Sequence, residues 1–182
     1  MTGHPTVTGH SAVIVVLAGV SGSGKTTVGT LLAGRLNCEF TDGDTFHPAA
    51  NVAKMEAGVP LTDADRRPWL DAIEAWVDRQ IADGESAVLA CSALHRAYRA
   101  ELARGRPAVR MVLLEVSHAV AAARLGARRG HFFPAGLLDS QFADLELPAA
   151  GEPVLVVNAD RPAGQIVADI AGHLPVPGRG SG

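Results

Sequence analysis

The sequence predicts an α/β fold in which helices flank both faces of a five-stranded parallel sheet. Five short apolar segments rich in β-branched residues alternate with segments of helical periodicity between residues 12 and 174. A glycine-rich turn joins the first apolar segment to the first helical one. Alternating strands and helices form right-handed βαβ units around a buried sheet. Because ligands bind such sheets at the carboxyl ends of the strands, we expect the functional residues there.

Each predicted element follows from its own residues. The apolar segments give five strands: Val13–Ala18, Cys38–Thr41, Ala87–Cys91, Val109–Val116 and Val154–Val157. Apolar residues at helical spacing give the helices: Thr27–Leu36, a long helix capped by Asp65 with Pro68 near its first turn, Leu94–Ala103, Ala119–Arg128 and Gln165–Leu174. The long helix has one apolar face: Trp69, Leu70, Ile73, Trp76, Val77 and Ile81. The segments 42–62 and 126–148 interrupt the alternation, either as covers over a bound substrate or as surface insertions.

Length and composition limit the class of protein. The 182 residues suit one domain, 12–174, between polar tails 1–11 and 175–182 that we expect to be flexible. A net charge of −3 gives no basic surface for nucleic acid, and no apolar run approaches the roughly 20 residues that span a bilayer. Two cysteines without metal-ligand spacing are typical of a cytoplasmic protein with reduced thiols.

The turn after the first strand has the sequence of a phosphate-binding loop, G-x-x-x-x-G-K-[ST]. It reads Gly19-Val20-Ser21-Gly22-Ser23-Gly24-Lys25-Thr26. Glycines let backbone N–H groups converge on phosphate oxygens, and the helix that follows adds the positive end of its dipole. Lys25 supplies a cation for the β- and γ-phosphates, and Thr26 supplies a hydroxyl ligand for Mg²⁺. The loop therefore predicts binding of a nucleoside triphosphate.

A pair of carboxylates, Asp42 and Asp44, follows the second strand. Phosphoryl transfer needs a metal held by oxygen ligands and a group that accepts the proton of the attacking hydroxyl. One carboxylate could serve the metal through water and the other the proton, and the sequence leaves open which does which. An Asp-Gly pair is also typical of a solvated turn, but the phosphate-binding loop upstream favours a functional role.

The next segment carries donors suited to a polyhydroxylated anion. His47, Asn51 and Lys54 are spaced three or four apart and would share one face of a helix. Arg66 precedes the long helix beside Arg67, and an arginine there could bind a carboxylate with both nitrogens. For both groups, a solvated surface is the commoner explanation.

Polar residues also follow the later strands. Ser92 lies at a strand end, where it could contact substrate, whereas Cys91 is expected to pack in the core. Cations cluster after the fourth strand, where they either close over a γ-phosphate or pair with a helix C-terminus: Arg124, Arg128, Arg129 and His131. After the last strand, Asn158–Pro162 could support an adenine ring.

Together these segments resemble the bacterial-type gluconokinases, short P-loop kinases related in fold to shikimate kinase. The matching residues are Asp42-Gly43-Asp44, His47-Pro48, Asn51, Lys54-Met55, Gly58, Pro60-Leu61, Asp63, Asp65-Arg66, Pro68-Trp69-Leu70, Cys91-Ser92-Ala93-Leu94, Tyr98-Arg99, Gly130-His131-Phe132-Phe133, Leu137-Leu138, Ser140-Gln141 and Leu145-Glu146. The resemblance extends from Val13 to Leu174. It departs at His95, where the family usually has lysine.

The resemblance implies a three-layer P-loop kinase that phosphorylates D-gluconate at its terminal hydroxyl, giving 6-phosphogluconate and ADP, in a homodimer. A segment at 42–82 would bind the substrate, and one at 126–148 would form a lid. ATP would be bound by Gly19, Ser21, Gly22, Ser23, Gly24, Lys25, Thr26, Thr27, Arg124, Asn158 and Pro162. The sugar acid would be bound by Asp44, His47, Lys54, Arg66, Ser92, Arg99, His131 and Gln141. The catalytic residues would be Lys25, Asp44, Arg124 and Arg128, with Mg²⁺ held by Thr26 and, through water, by Asp42.

Three other functions are alternatives to gluconate phosphorylation. Another small-acid or nucleotide kinase of this fold, such as a shikimate kinase, is the main one. A switch GTPase would require an Asn-Lys-x-Asp motif, which the sequence lacks. A nucleic-acid-dependent ATPase would require a basic track, which the acidic balance disfavours.

Overall fold

A computed structural model describes residues 12–127 and 135–175, and it contains all five predicted strands. The strands are β1 (Ile14–Ala18), β2 (Glu39–Asp42), β3 (Ala87–Ala90), β4 (Val109–Glu115) and β5 (Val154–Asn158). The helices are α1 (Lys25–Leu36), α2 (Ala49–Glu56), α3 (Asp63–Asp83), α4 (Arg96–Ala103), α5 (His118–Gly126), α6 (Ala135–Asp144) and α7 (Ala163–His173). A short 3₁₀ helix, Gly43–Phe46, follows β2 directly.

The strands form one parallel sheet in the order β2-β3-β1-β4-β5. Strand β1 lies at the centre, and all five of its residues are buried. The register pairs Leu17 and Asp42 with the same residue of β3, Ala90. The carboxyl ends of β1, β2 and β3 are therefore level, and the loops that leave them emerge side by side.

The alternating side chains of β1 divide between two apolar cores, as the period of two in a strand requires. Val15 and Leu17 pack with residues of α1 and α7 on one face of the sheet. Ile14, Val16 and Ala18 pack with residues of α3 and α4 on the other. Helices therefore cover both faces, and the predicted three-layer α/β fold is confirmed.

The start of α3 differs from the prediction. Thr62, not Asp65, is the N-cap, and the two residues form a capping box. The Thr62 hydroxyl accepts from the Asp65 amide at 3.2 Å, while the Asp65 carboxylate accepts from the Thr62 amide at 2.9 Å. Two amides are satisfied in this way instead of one, and the helix begins three residues earlier than an Asp65 cap would allow. Pro68 consequently lies inside the helix.

The segment 42–62 is also more regular than expected, since it contains the 3₁₀ helix and α2. His47 lies between these two helices and has an extended backbone. The predicted single helical face of His47, Asn51 and Lys54 is therefore wrong, although the three side chains remain close, as described below.

Some predictions concern residues outside the described ranges. These are the N-terminal tail, the C-terminal tail beyond Pro175, and residues 128–134 of the predicted lid, which include Arg128, Arg129 and His131. Among the described helices, none combines the length and apolar character needed to cross a membrane.

Candidate active site

The loop between β1 and α1 has the backbone of an anion cradle. Gly19, Gly22 and Gly24 all have positive φ, at 144°, 79° and 96°. A Cβ on Gly22 would lie only 2.6 Å from the carbonyl oxygen of Ala121, so a side chain is excluded there by conformation and by space. No side chain caps the N-terminus of α1, and its first turn has no acidic residue. The amides of that turn are therefore available to an anion.

Lys25 folds back over this loop. Its Nζ donates to the carbonyl oxygens of Gly19 at 2.8 Å and Val20 at 3.0 Å. The ammonium group also acts on the Asp44 carboxylate, where its positive charge opposes the rise in pKa that burial causes. Lys25 thus lies between the phosphate-binding loop and the carboxylates that follow β2.

Arg124, from α5, joins the phosphate-binding loop to the segment after β5. Its Nη1 donates to the carbonyl oxygens of Gly22 and Ser23, each at 3.3 Å, and its Nη2 donates to that of Ala159 at 2.7 Å. A pocket of about 360 Å³ adjoins it, lined by Gly22, Ser23, Gly24, Thr27, Val28, Arg124, Arg161, Pro162, Ala163 and Ile166. The pocket is next to the anion cradle, where the nucleoside of a bound triphosphate would lie.

The lining of this pocket differs from the prediction in one respect. Asn158 does not line it; its Oδ1 accepts from the Asp160 amide at 2.8 Å and stabilises the turn. Arg161 lines it instead. The sequence predicted one adenine-binding segment that contains both residues. The structure shows that Arg161 lines the pocket, whereas Asn158 stabilises the turn.

The two carboxylates after β2 lie together at the carboxyl end of the sheet, and the region between them and the phosphate-binding loop is called the cleft below. Asp42 Oδ1 accepts from the Asp44 amide at 3.0 Å. The pKa of Asp44 is raised, chiefly because protein atoms desolvate its carboxyl group and secondly because Asp42 repels its charge. Lys25 and His47 oppose this shift. A carboxylate that binds a proton more readily than usual is suited to accepting one from a hydroxyl.

Trp69 fixes the turn that carries Asp44, a function the sequence did not suggest. Its indole Nε1 donates to the carbonyl oxygen of Gly43 at 2.8 Å. A Cβ on Gly43 would lie 2.6 Å from the Ala90 carbonyl oxygen, so the turn packs directly on β3. The sequence predicted Trp69 only as part of the apolar face of α3.

His47 stacks on the ring of Trp69, with ring centroids 4.8 Å apart and planes within 6°. The pKa of His47 is lowered, mainly by burial, with Arg66 adding to the effect and Asp44 opposing it. Its Nδ1 lies 3.4 Å from the Asn51 amide nitrogen. Because an amide nitrogen can only donate, we assign the hydrogen of the neutral ring to Nε2. His47 is then a neutral donor beside Asp44 and Arg66.

Arg66 remains partly available to a ligand. Its side chain is 26% exposed, and its nearest carboxylate, Asp63, lies 3.7 Å away. That carboxylate is also bound by the Tyr98 hydroxyl at 2.6 Å. In contrast, Arg67 is bound by Asp71 and Glu101 at 2.5 and 2.6 Å. The structure therefore distinguishes two adjacent arginines that the sequence could not.

Comparison with known proteins gives the family. Residues 14–148 match the AAA domain family. The chain is 46% identical to the gluconokinase of Gluconobacter oxydans over 96% of this chain and 98% of that protein. It belongs to the gluconokinase family. A crystal structure of a gluconokinase from Sinorhizobium meliloti matches with a TM-score of 0.77 and 40% identity, covering 88% of this chain and 90% of that one. Shikimate kinase from Aquifex aeolicus shares the fold, with a TM-score of 0.54 and 16% identity over 87% and 93% of the two chains.

Two further residues of the gluconokinase signature connect α2 to α3. Lys54 Nζ lies 2.6 Å from Asp65 Oδ1, and Asn51 Nδ2 donates to the Asp65 carbonyl oxygen at 2.7 Å. The hydrogen bond from Lys54 is the main cause that lowers the pKa of Asp65 to about 2. In this structure Lys54 therefore holds α2 against the start of α3, next to Arg66.

Three other signature residues surround the loop after β3. The Ser92 carbonyl oxygen accepts from the Gly19 amide at 3.1 Å, which ties this loop to the phosphate-binding loop. Cys91 is buried, as predicted, and burial raises its pKa to about 12. Arg99 is only 1% exposed, and its guanidinium contacts Glu152 and the Leu94 carbonyl oxygen, at 2.8 and 3.0 Å. Arg99 thus supports this loop from beneath and is not brought to the cleft with Asp44 and Arg66.

Gln141, on α6, lies at the phosphate-binding loop. Its Oε1 accepts from the Ser21 amide at 2.7 Å. The resemblance assigned Gln141 to the sugar acid, and the structure brings it to the nucleotide side of the cleft.

Proposed function

We propose that this chain transfers the γ-phosphoryl group of ATP to the terminal hydroxyl of D-gluconate, giving 6-phosphogluconate and ADP. The observation that carries the proposal is the position of the Asp44, His47 and Arg66 cluster beside an open phosphate-binding loop in a member of the gluconokinase family. In-line transfer requires the acceptor hydroxyl and the triphosphate to be held in adjacent positions. Here the loops from β1 and β2 would hold one reactant each.

On the nucleotide side, the loop amides and Lys25 would bind the β- and γ-phosphates. Arg124, already at the loop, would neutralise charge that develops during transfer, and we expect Arg128 to join it. The nucleoside would occupy the pocket that contains Thr27 and Pro162.

Magnesium fits the residues at this position. The Thr26 side chain is exposed at the first turn of α1, and the Asp42 carboxylate faces the same cleft edge as Asp44. Hydroxyl and carboxylate oxygens are the ligands that Mg²⁺ prefers, together with water and substrate phosphates. Thr26 would hold the ion directly and Asp42 through water. The bound ion would supply charge neutralisation of the phosphates.

On the acceptor side, Asp44 would accept the proton of the terminal hydroxyl as its oxygen forms the new bond to phosphorus. Arg66 would bind the carboxylate of the acid, and the His47 Nε2–H group would donate to a hydroxyl of the chain. Ser92, Lys54 and His131 are the remaining predicted contacts of the acid, whereas the structure places Arg99 beneath the loop after β3 and Gln141 at the phosphate-binding loop. Of these, Lys54 is paired with Asp65, which a substrate would have to share.

A panel of acceptors tests the proposal. ADP release should be measured with gluconate, other aldonic acids, shikimate and nucleoside monophosphates, with ³¹P NMR to identify the product. We expect kcat/KM for gluconate to exceed that for shikimate by at least a hundredfold and the product to be a terminal phosphate ester. Preference for shikimate or a nucleotide would identify the alternative kinase, and ADP release that is independent of any acceptor would refute the transfer.

The family resemblance also leads us to propose a cytoplasmic homodimer. Light scattering of the purified protein should return the mass of two chains, and the mass of one chain would refute this part.

Arg66→Ala should raise the KM for gluconate with a smaller effect on the KM for ATP. A hydrogen bond to a charged group contributes about 1.5–3 kcal/mol, so the KM should rise about 10- to 100-fold. The adjacent Arg67→Ala variant is the matched control, because Arg67 is already paired with Asp71 and Glu101. Equal effects of the two substitutions on the KM for gluconate would remove Arg66 from the site.

A further inference from the structure

The helix α6 contacts the phosphate-binding loop and is held by contacts along its middle and just beyond its C-terminus. His118, on α5, contacts it through Asp139, with 2.7 Å between Nε2 and Oδ1, and through the ring of Phe142, with centroids 5.1 Å apart. Just beyond its C-terminus, the Glu146 amide donates to the Leu94 carbonyl oxygen at 3.0 Å. Leu138, from the same helix, is 3% exposed in the core. The position of α6 is therefore fixed by packing and by polar contacts.

Gln141 is the residue through which α6 reaches the loop. The 2.7 Å bond from the Ser21 amide to Gln141 Oε1 joins residues 120 positions apart. Other contacts hold the neighbouring peptides of the loop: the Gly19 amide donates to Ser92, and the Ser23 amide donates to the Val20 carbonyl oxygen. The bond to Gln141 fixes the Ser21 peptide between them.

We propose that Gln141 is a positioning residue for phosphoryl transfer, which acts through the Ser21 peptide to set the shape of the phosphate-binding loop beside the γ-phosphate. The inference rests on the proposed function and gives Gln141 a role on the nucleotide side instead of the predicted contact with the acid. Transfer depends on donors that are already oriented when charge develops. A loop peptide free to rotate would lose part of that orientation.

The chemistry of glutamine suits this position. The Ser21 amide requires an acceptor, and a carboxamide oxygen provides one without charge. A glutamate would accept the same bond but would place a negative charge close to the triphosphate. The substitutions Gln141→Met and Gln141→Glu therefore separate the two requirements, since the first removes the acceptor and the second keeps it and adds a charge.

Steady-state kinetics with gluconate and ATP would test the proposal. For Gln141→Met we expect kcat to fall about tenfold, which corresponds to one lost hydrogen bond, with the KM for ATP changed less than twofold. For Gln141→Glu we expect the KM for ATP to rise severalfold and the rise to shrink with added salt, because screening weakens the repulsion. Gln80→Met is the matched control, because the Gln80 side chain donates to an exposed carboxylate, Glu39, at 3.3 Å; its kinetics should equal those of the wild type.

Three kinetic results would overturn the proposal. A normal kcat for Gln141→Met, or a lower KM for ATP, would mean that Gln141 does not position the loop or that it competes with a phosphate for the Ser21 amide. An unchanged KM for ATP in Gln141→Glu would mean that the side chain lies away from the triphosphate in the working enzyme.

A readout without turnover separates this inference from the proposed function. In the ligand-free protein, Gln141→Met should shift the NMR signal of the Ser21 amide, while Gln80→Met should not. If the wild type failed to phosphorylate gluconate, the proposed function would fall, but the NMR shift and the ATP affinities of the variants would still test the contact. A Ser21 signal that is unchanged in Gln141→Met would contradict the contact itself.

Discussion

Replacing Asp44 by asparagine should lower kcat for gluconate phosphorylation by about 10²- to 10⁴-fold, the usual contribution of a general base. Asparagine keeps the size of the side chain but cannot accept the proton of the attacking hydroxyl. The affinity for ATP should change little, because the loop amides and Lys25 remain. Kinetics of acceptor-dependent ADP release, together with ATP titration by calorimetry, would measure both quantities.

The raised pKa of Asp44 predicts that Asp44→Asn also changes how the stability of the protein depends on pH. Its folded-state pKa lies above its ordinary value of 3.8, chiefly through desolvation and then through Asp42. A carboxyl group with a raised folded-state pKa stabilises the folded protein most at pH values below its unfolded pKa, where it is protonated. This contribution to the free energy of unfolding is lost as pH rises through the folded pKa. At neutral pH, Asp44→Asn should therefore melt at a higher temperature than the wild type, and the difference should vanish near pH 3. The acidic limb of kcat/KM in the wild type should lie above the ordinary range of an aspartate.

Asp42→Asn is the control that assigns the two carboxylates. If Asp42 holds Mg²⁺ through water, this variant should require more Mg²⁺ for half-maximal rate and keep more activity at saturating Mg²⁺ than Asp44→Asn. If Asp44→Asn instead required more Mg²⁺ and kept more activity than Asp42→Asn, Asp42 would be the base and Asp44 the residue that holds Mg²⁺. Near-normal turnover in Asp44→Asn would remove Asp44 as the base.

The fold could be predicted from the sequence because its signals are local. Each strand is a short apolar run, and five of the seven described α-helices have apolar residues at helical spacing, so these elements were found to within a few residues. Helices α2 and α6 were not predicted, because they lie in the segments 42–62 and 126–148, which show no clear apolar periodicity. The error at the start of α3 also has a local cause. The cap of α3 was misplaced because Thr62 and Asp65 share the capping in a box, and either residue alone would be an acceptable N-cap.

The candidate site could be predicted only as a set of residues. Lys54, Arg66 and Arg99 all looked like cations for an anionic substrate, since sequence gives residue type and not partner. The partners come from distant segments: Asp65 for Lys54 and Glu152 for Arg99. Burial of Arg99 depends on the packing of α4 against the segment before β5, which no local pattern shows.

Trp69 and Gln141 show a second limit: Trp69 was predicted only as a core residue, and Gln141 was predicted as a contact of the acid, whereas both bind backbone groups. Trp69 fits the apolar stripe of α3, and its single polar atom, which reaches the Gly43 carbonyl oxygen, leaves no trace in a hydrophobic pattern. Gln141 contacts a backbone amide, and a backbone amide has no residue identity that a sequence could reveal. Side chains that act on the backbone are thus the part of the site that requires the structure.

Glu152→Ala should destabilise the protein by about 3 kcal/mol, near the lower end of the range for breaking a buried ion pair. Arg99 is 1% exposed and Glu152 is 11% exposed, and two nitrogens of Arg99 donate to the two carboxylate oxygens, at 2.8 and 3.4 Å. The alanine variant would leave the guanidinium charge buried without a counter-ion. For a chain of this length, Tm should fall by about 6–12 °C, measured by calorimetry, whereas alanine at the exposed Glu85 should change it little.

The pH dependence of this effect has a defined sign. The pKa of Glu152 is lowered from its ordinary 4.5, mainly by the hydrogen bond from Arg99, so the ionised carboxylate stabilises the fold above that value. This contribution is lost as pH falls through the depressed folded pKa. The difference in Tm between wild type and Glu152→Ala should therefore be largest at neutral pH and shrink in acid. A difference that is constant with pH would show that packing of the side chain, and not its charge, holds Arg99 beneath the loop that contacts Gly19.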